Sequence, residues 1–207
     1  LTRDGDKMTI TEPQAPTRKL KNNAFAPAHN VQVVTDLESG AIIDTQVVDQ
    51  ANDAGQLAPQ VDKAQSRLKQ LASILKEEGV VIGPIESAVA DSAYHDTLQL
   101  RDLEQAGIEV FVPDDRSKRR PPNVSDEFMA DKFEYDETTD TMRCPMGHPL
   151  KPRKLNPGKT ALTYEGSAQV CSQCPHKPHC CPKSRGGRSV NRPLYPEVIE
   201  RTRERMQ

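Results

Sequence analysis

A chain of 207 residues can bury the core of one domain with an excursion, or of one and a half domains. With 35% hydrophobic and 4% aromatic residues and 17 prolines, that core is modest and much of the chain must be loop or extended surface. No run approaches the roughly 18 to 20 apolar residues that cross a bilayer and no basic, apolar and small leader pattern opens the sequence, so a soluble, cytoplasmic protein is expected. The net charge of -2 conceals a division: residues 1 to 142 carry 26 acidic against 15 basic side chains, and residues 143 to 188 nine basic against the single Glu165. Carboxylates gather divalent cations and Lys and Arg neutralise phosphates, so this division suits a metal-dependent protein acting on a polyanion. A flexible, solvated basic loop has the same composition.

Residues 1 to 28 hold no sustained period and read as an irregular lead-in. "HNVQVVTD" and "AIIDTQVVD" are two β-branched runs around Leu37 to Gly40, the pattern of an antiparallel hairpin. From Asn52, a candidate cap, Leu57, Val61, Ala64, Leu68, Leu71 and Leu75 recur at helical spacing up to Gly79, and the stripe reads as core contact. "ESAVAD" is a short strand, Asp96 can cap a helix carrying Leu100 and Leu103, Gly107 can end it, and "IEVFVP" is a second strand. Strand, helix and strand in that order predict a parallel pair joined by a crossover. Residues 114 to 132 read as an exposed charged linker, "FEYDETTDTMRCP" as a hairpin around Glu137 to Thr139, "ALTYEGSAQVC" as a strand leading into cysteines, and 191 to 207 as the start of a helix.

The crossover places Asp91 at the carboxyl end of a central strand. In open α/β sheets ligands bind in the crevice beyond those ends, and a carboxylate there is exposed, paired or holding a cation. Asp96 is better placed to cap the following helix, which leaves Asp91 available as a magnesium ligand. Two-metal phosphodiester chemistry needs carboxylates from separate elements, and Asp36, Asp44, Asp49 and Asp53 are near in sequence; singly, each reads as a turn or capping residue.

Four of the five cysteines, Cys144, Cys171, Cys174 and Cys180, fall inside "CPMGHPL" and "CSQCPHKPHCC". A Cys-x-x-Cys step lets two thiolates reach one tetrahedral ion and two further ligands close the sphere, so structural zinc is expected. An aromatic-poor excursion buries little core, and metal binding would supply its order. Cys181 stands beside Cys180 and can hardly join it on one ion; His148, His176 and His179 are possible substitutes, and free thiols remain an alternative. Folded on zinc, the region would display Lys151, Arg153, Lys154, Lys159, Lys177, Lys183, Arg185 and Arg188 to DNA.

Five blocks in order, "TEPQAPTRKLKNNAFAPAHNVQVVTD", "NDAGQLAP", "ADSAYHD", "CPMGHPL" and "CSQCP....C", resemble those of bacterial insertion-sequence transposases of the DDE type with a cysteine-bearing insertion. The family follows its second acidic residue with a small residue, Gly and Tyr, where this chain has Ala93 before Tyr94. The resemblance implies an α/β fold, with an RNase H-like mixed sheet, flanking helices and a small β-rich cysteine insertion. It implies DNA cutting and joining with magnesium, Asp91 as the second acid of a triad, transposon-end and target DNA as partners, and a homodimer in the working complex at the nucleoid. The first aspartate is expected upstream of Leu1 and the glutamate beyond Gln207, so the chain reads as a middle segment that alone neither cuts nor joins DNA. The expected organisation is a lead-in at 1–28, a partial core at 29–113, a linker at 114–132, the basic cysteine insertion at 133–190 and a helix start at 191–207. Two other readings fit: a non-catalytic zinc-dependent nucleic-acid module, such as a decayed transposase, and an RNase H-like nuclease.

Overall fold

The computed structural model describes residues 2–3, 6–7, 13–19, 22–114, 121–156, 158 and 160–207. The rest of the expected lead-in and linker, and Lys159, lie outside the described residues. Helix and strand are mixed along the chain, which forms two compact units: Leu1–His95 with Asp102–Val112, and Asp96–Arg101 with Pro113–Gln207.

The first unit opens on two short antiparallel pairs, β1 (Thr2–Arg3) with β2 (Asp6–Lys7) and β3 (Thr17–Lys19) with β4 (Phe25–Pro27). Arg18 ties the second pair down, donating from Nε to the Ala28 carbonyl at 2.8 Å and from Nη2 to the Asp49 carbonyl at 2.7 Å. The predicted hairpin follows as β5 (Asn30–Thr35) and β6 (Ile42–Val48), with Gly40 at φ 70° in its loop. Its burial is inverted. The face carrying Gln32 (1% exposed), Asp44 (3%) and Val48 is the buried one, while Val31, Val33, Ile42 and Val47 are exposed. Helix α1 (Leu57–Leu75) packs against both strands. It begins five residues after the expected Asn52 cap, with Pro59 in the first turn, where a missing N–H costs nothing. Leu57, Val61 and Ala64 are buried, at roughly 1.5–3 kcal/mol for each of the two larger side chains. The predicted stripe is fully buried only that far: Leu68 and Leu75 are half-buried and Leu71 is exposed.

Strand β7 (Ser87–Val89) pairs in parallel with β8 (Glu109–Phe111), with Ala88 opposite Val110, and α2 (Thr97–Gln105) lies between them in the chain. The amides of Glu109 and Ala90 extend the ladder by one bond at each end. Asp96 Oδ1 accepts the Leu98 amide at 3.0 Å, and Gly107, at φ 79°, closes the helix. Val110 and Val112, two residues apart and so on one face, are fully buried, while Glu109 is exposed.

The second unit is built on an antiparallel sheet of five strands: β9 (Glu134–Asp136), β10 (Thr141–Arg143), β11 (Pro149–Leu155), β12 (Ala161–Gly166) and β13 (Ser189–Pro193). They stand side by side in that order. Phe133, Met142, Leu150, Tyr164 and Val190 make its core, with Cys144 and Cys180 packed on the margin. Tyr164 donates to Asp140 Oδ1 at 2.6 Å, so its buried hydroxyl is satisfied. Two short helices, α3 (Ala168–Gln173) and α4 (Lys177–Cys180), occupy the excursion between β12 and β13, and α5 (Pro196–Arg205) ends the chain. The strand expected to run into the cysteines stops at Gly166 instead. Ser167 turns the backbone and its Oγ accepts the Val170 amide at 3.5 Å, capping α3. Part of the stretch expected to be exposed linker is packed: Phe128 is 3% exposed, with its ring 5.5 Å from that of His176.

Candidate functional site

Asp91 stands two residues past the end of β7, and its side chain is exposed. Its Oδ1 accepts the Ala93 amide at 2.8 Å and its carbonyl accepts the Tyr94 amide at 3.2 Å, which winds Ser92–Tyr94 into a single 3-10 turn. Asp91 is therefore a cap as well as an exposed acid, and Asp96 caps α2 separately. The other early aspartates divide. Asp36 accepts the Ser39 hydroxyl and amide within the hairpin loop, which holds its carboxyl below the usual range. Asp44 is buried and meets Arg67 Nε at 2.5 Å. Asp49 is exposed. Asp53 shares a neighbourhood with Asp91: burial first, then the charges of Asp53 and Asp91, raises the Tyr94 hydroxyl above its ordinary value.

The residues around Tyr94 escaped the sequence reading. Gln32 donates from Nε2 to Asp53 Oδ1 at 2.7 Å and to Asn30 Oδ1 at 2.8 Å, and its Oε1 accepts the Tyr94 hydroxyl. The available signal was a single polar residue between valines in "NVQVV", which alternation assigns to solvent and the structure buries.

In the second unit all five cysteines line one cavity of about 480 Å³, together with His148, His176, Met146 and Phe128. They reach it from three places. Cys144 sits in the turn after β10, where Gly147 at φ 81° lets the chain fold back, so that the His148 amide donates to Cys144 Sγ at 3.3 Å. Cys171 and Cys174 lie on and just after α3, and the Arg188 amide donates to Cys171 Sγ at 3.5 Å. Cys180 ends α4, with Cys181 next to it. Backbone amides are thus aimed at two of the sulfurs.

None of the five cysteines is in a disulfide. Burial, with the neighbouring Cys181, pushes Cys180 up to about 12, and burial then the charge of Cys171 raises Cys181. Among the described residues no three of His, Cys, Asp and Glu form a metal-holding group. Cys144, Cys171, Cys174 and Cys180 all line this cavity, and thiols are soft ligands of the kind zinc takes, although they are not gathered closely enough to form such a group as they stand. His179 is not among the lining residues.

A close crossing of backbone brings Cys171 to its amide. A Cβ on Gly187 would fall 1.9 Å from the Gly166 oxygen, so a side chain there would force the two segments apart, and one on Gly166 would fall 3.2 Å from Cys171 Sγ and crowd that sulfur.

The basic residues also divide. The Arg188 guanidinium donates to the carbonyls of Cys180 at 3.2 Å and Phe128 at 3.1 Å and lies over the Phe133 ring, so it holds the unit together. Arg153 pairs with Glu165 at 2.9 Å. Lys151, Lys154, Lys183 and Arg185 are exposed and Lys177 is half-buried.

No helix among the described residues is long and apolar enough to cross a membrane. Neither family models, curated proteins nor solved structures gave a match to this chain.

Proposed function

We propose that the chain is a segment of a DDE-type insertion-sequence transposase on an RNase H-like core, taking magnesium at Asp91 and gripping DNA through a zinc-ordered cysteine lobe. The observation that carries this reading is the setting of Asp91. It is an exposed carboxylate beyond the carboxyl end of β7 in a parallel pair, preceded by an antiparallel hairpin and a helix. In open α/β sheets ligands bind beyond the carboxyl ends of the strands; among the described residues β7 pairs with β8 alone and is not the central strand expected, so this support comes from the parallel pair only. Magnesium bound there would stabilise charge on phosphoryl oxygens and activate the attacking oxygen. Asp91 supplies one ligand, and Asp53 is a second carboxylate of the same neighbourhood.

The test is local. Manganese should broaden the Ser92 and Ala93 amide resonances, magnesium should compete, and Asp91→Asn should abolish the effect. Broadening that survives this substitution removes Asp91 as a ligand. A second reading, a zinc-dependent nucleic-acid module without catalysis, draws on the exposed Lys151, Lys154, Lys183 and Arg185 and needs nothing from Asp91. It predicts DNA binding that Asp91→Asn leaves intact and no divalent-ion effect at residues 91–94.

A further inference from the structure

Gln32 is 1% exposed, and both ends of its amide are engaged. Asp53 Oδ1 accepts from Gln32 Nε2 at 2.7 Å and from Asn30 Nδ2 at 3.0 Å, and Asn30 Nδ2 also reaches the Gln50 carbonyl at 3.2 Å. An ionised carboxylate can only accept, so Gln32 must turn its NH2 to Asp53, which leaves Oε1 facing Tyr94, and the phenol must donate. The bond from Tyr94 to Gln32 thus has one possible polarity. Tyr94 is also the last residue of the turn that Asp91 caps, held by the Asp91 carbonyl at 3.2 Å. The turn is fixed at both ends, by the Asp91 side chain at one and by the phenol at the other.

We propose that Tyr94 is a positioning residue: through Gln32, Asp53 and Asn30 it locks the turn at residues 91–94 and holds the Asp91 carboxylate in the orientation that receives a divalent cation. This rests on Asp91 being a metal ligand. Phenylalanine at position 94 would fill the same space and leave Gln32 Oε1 buried without its donor, so the turn would gain by opening to water. The substitution acts on the aim of the carboxylate and not on its charge.

The experiment uses the 207-residue chain and its Tyr94→Phe, Gln32→Met and doubly substituted forms. Two readouts are taken: backbone 15N order parameters, and manganese titration followed by broadening of the Ala93 amide. Order parameters at Ser92 and Ala93 should be near about 0.85 in the unsubstituted chain and below about 0.6 in Tyr94→Phe, with those of Val61 and Val110 unmoved. The manganese midpoint should rise about tenfold or more, the usual effect of losing the group that orients a metal ligand. Gln32→Met should reproduce both changes, and the double form should add nothing, because the two residues act as one unit. Unchanged order parameters in Tyr94→Phe overturn the lock. A loosened turn with an unmoved manganese midpoint overturns its role in cation binding. If manganese leaves Ala93 sharp in the unsubstituted chain while Tyr94→Phe still loosens the turn, the metal reading fails and the positioning role falls with it.

Discussion

Gly187 is where one added methyl group does the most damage. Its Cβ would sit 1.9 Å from the Gly166 oxygen and 2.6 Å from the Gly166 carbon, both backbone atoms that no rotamer change can move. Real Cβ contacts do not fall under 3.0 Å, so the two strands must part by at least about 1.1 Å. That movement breaks the Gly166 amide to Arg188 carbonyl bond of 2.8 Å and carries the Arg188 amide off Cys171 Sγ. Overpacking costs about 1–3 kcal/mol and the lost backbone bond about 0.5–1.5 kcal/mol, together roughly 2–4 kcal/mol. For a unit of this size, each kcal/mol lowers Tm by about 4–8 °C, so Gly187→Ala should melt roughly 8–32 °C earlier. The assay is near-ultraviolet circular dichroism on heating, since Tyr135, Tyr164 and Tyr195 all belong to the second unit. Gly186→Ala is the control, because its Cβ meets only Glu165 Oε1 at 3.9 Å and Ser184 Oγ at 4.0 Å. Equal melting temperatures for the two variants would refute the crossing as a structural constraint.

Two further outcomes follow from the second unit. Cys171→Ser should lose zinc and loosen residues 144 to 181, read as metal content by atomic absorption and as loss of amide protection; undiminished zinc would exclude Cys171 as an essential ligand. With Arg153 and Arg188 engaged inside the protein, Lys151, Lys154, Lys177, Lys183 and Arg185 remain to meet phosphates. Five contacts give a log–log salt slope of about -4.5, or roughly a 500-fold loss of DNA affinity between about 50 and 200 mM salt. A flat salt response measured by fluorescence anisotropy would remove the backbone grip.

Local signals carried the hairpin, the parallel pair and the Asp96 cap, because each rests on a few adjacent residues; that Asp91 also caps a turn was not read from them. Alternation of β-branched residues marks β5 and β6, and Asp96 with Gly107 brackets α2. Alternation could not tell which hairpin face is buried. Valines stand on both faces, and the structure exposes Val31 and Val33 and buries Gln32, Asp44 and Val48. The reason lies far along the chain: Tyr94 and Asp53 satisfy Gln32, and the Arg67 guanidinium sets an opposite charge against Asp44, whose oxygens have no hydrogen bond of their own among the described residues. The start of α3 was legible in principle, since Gly166 and Ser167 are a strand end and a helix cap in succession. The apolar content of "ALTYEGSAQVC" concealed them.

Strand β11 shows why a whole element was missed. In "PLKPRKL" the two leucines are five residues apart, an odd step that strict alternation sends to opposite faces of a sheet. The ladder restores them to one face by a register shift between Pro152 and Lys154: Pro152 stands opposite Tyr164, Lys154 opposite Thr163 and Leu155 opposite Leu162. Arg153 is the extra residue of a bulge. Beyond it, Lys154 joins Lys151 on the face opposite the core, and Leu155 returns to the side of Leu150 and Leu162. Pro152 is tolerated because β10 pairs with β11 only at Pro149 and Leu150, so one edge is open there. The bulge that hides the strand from periodicity is also what keeps Lys151 and Lys154 together on the exposed face, where the proposed grip on phosphate needs them.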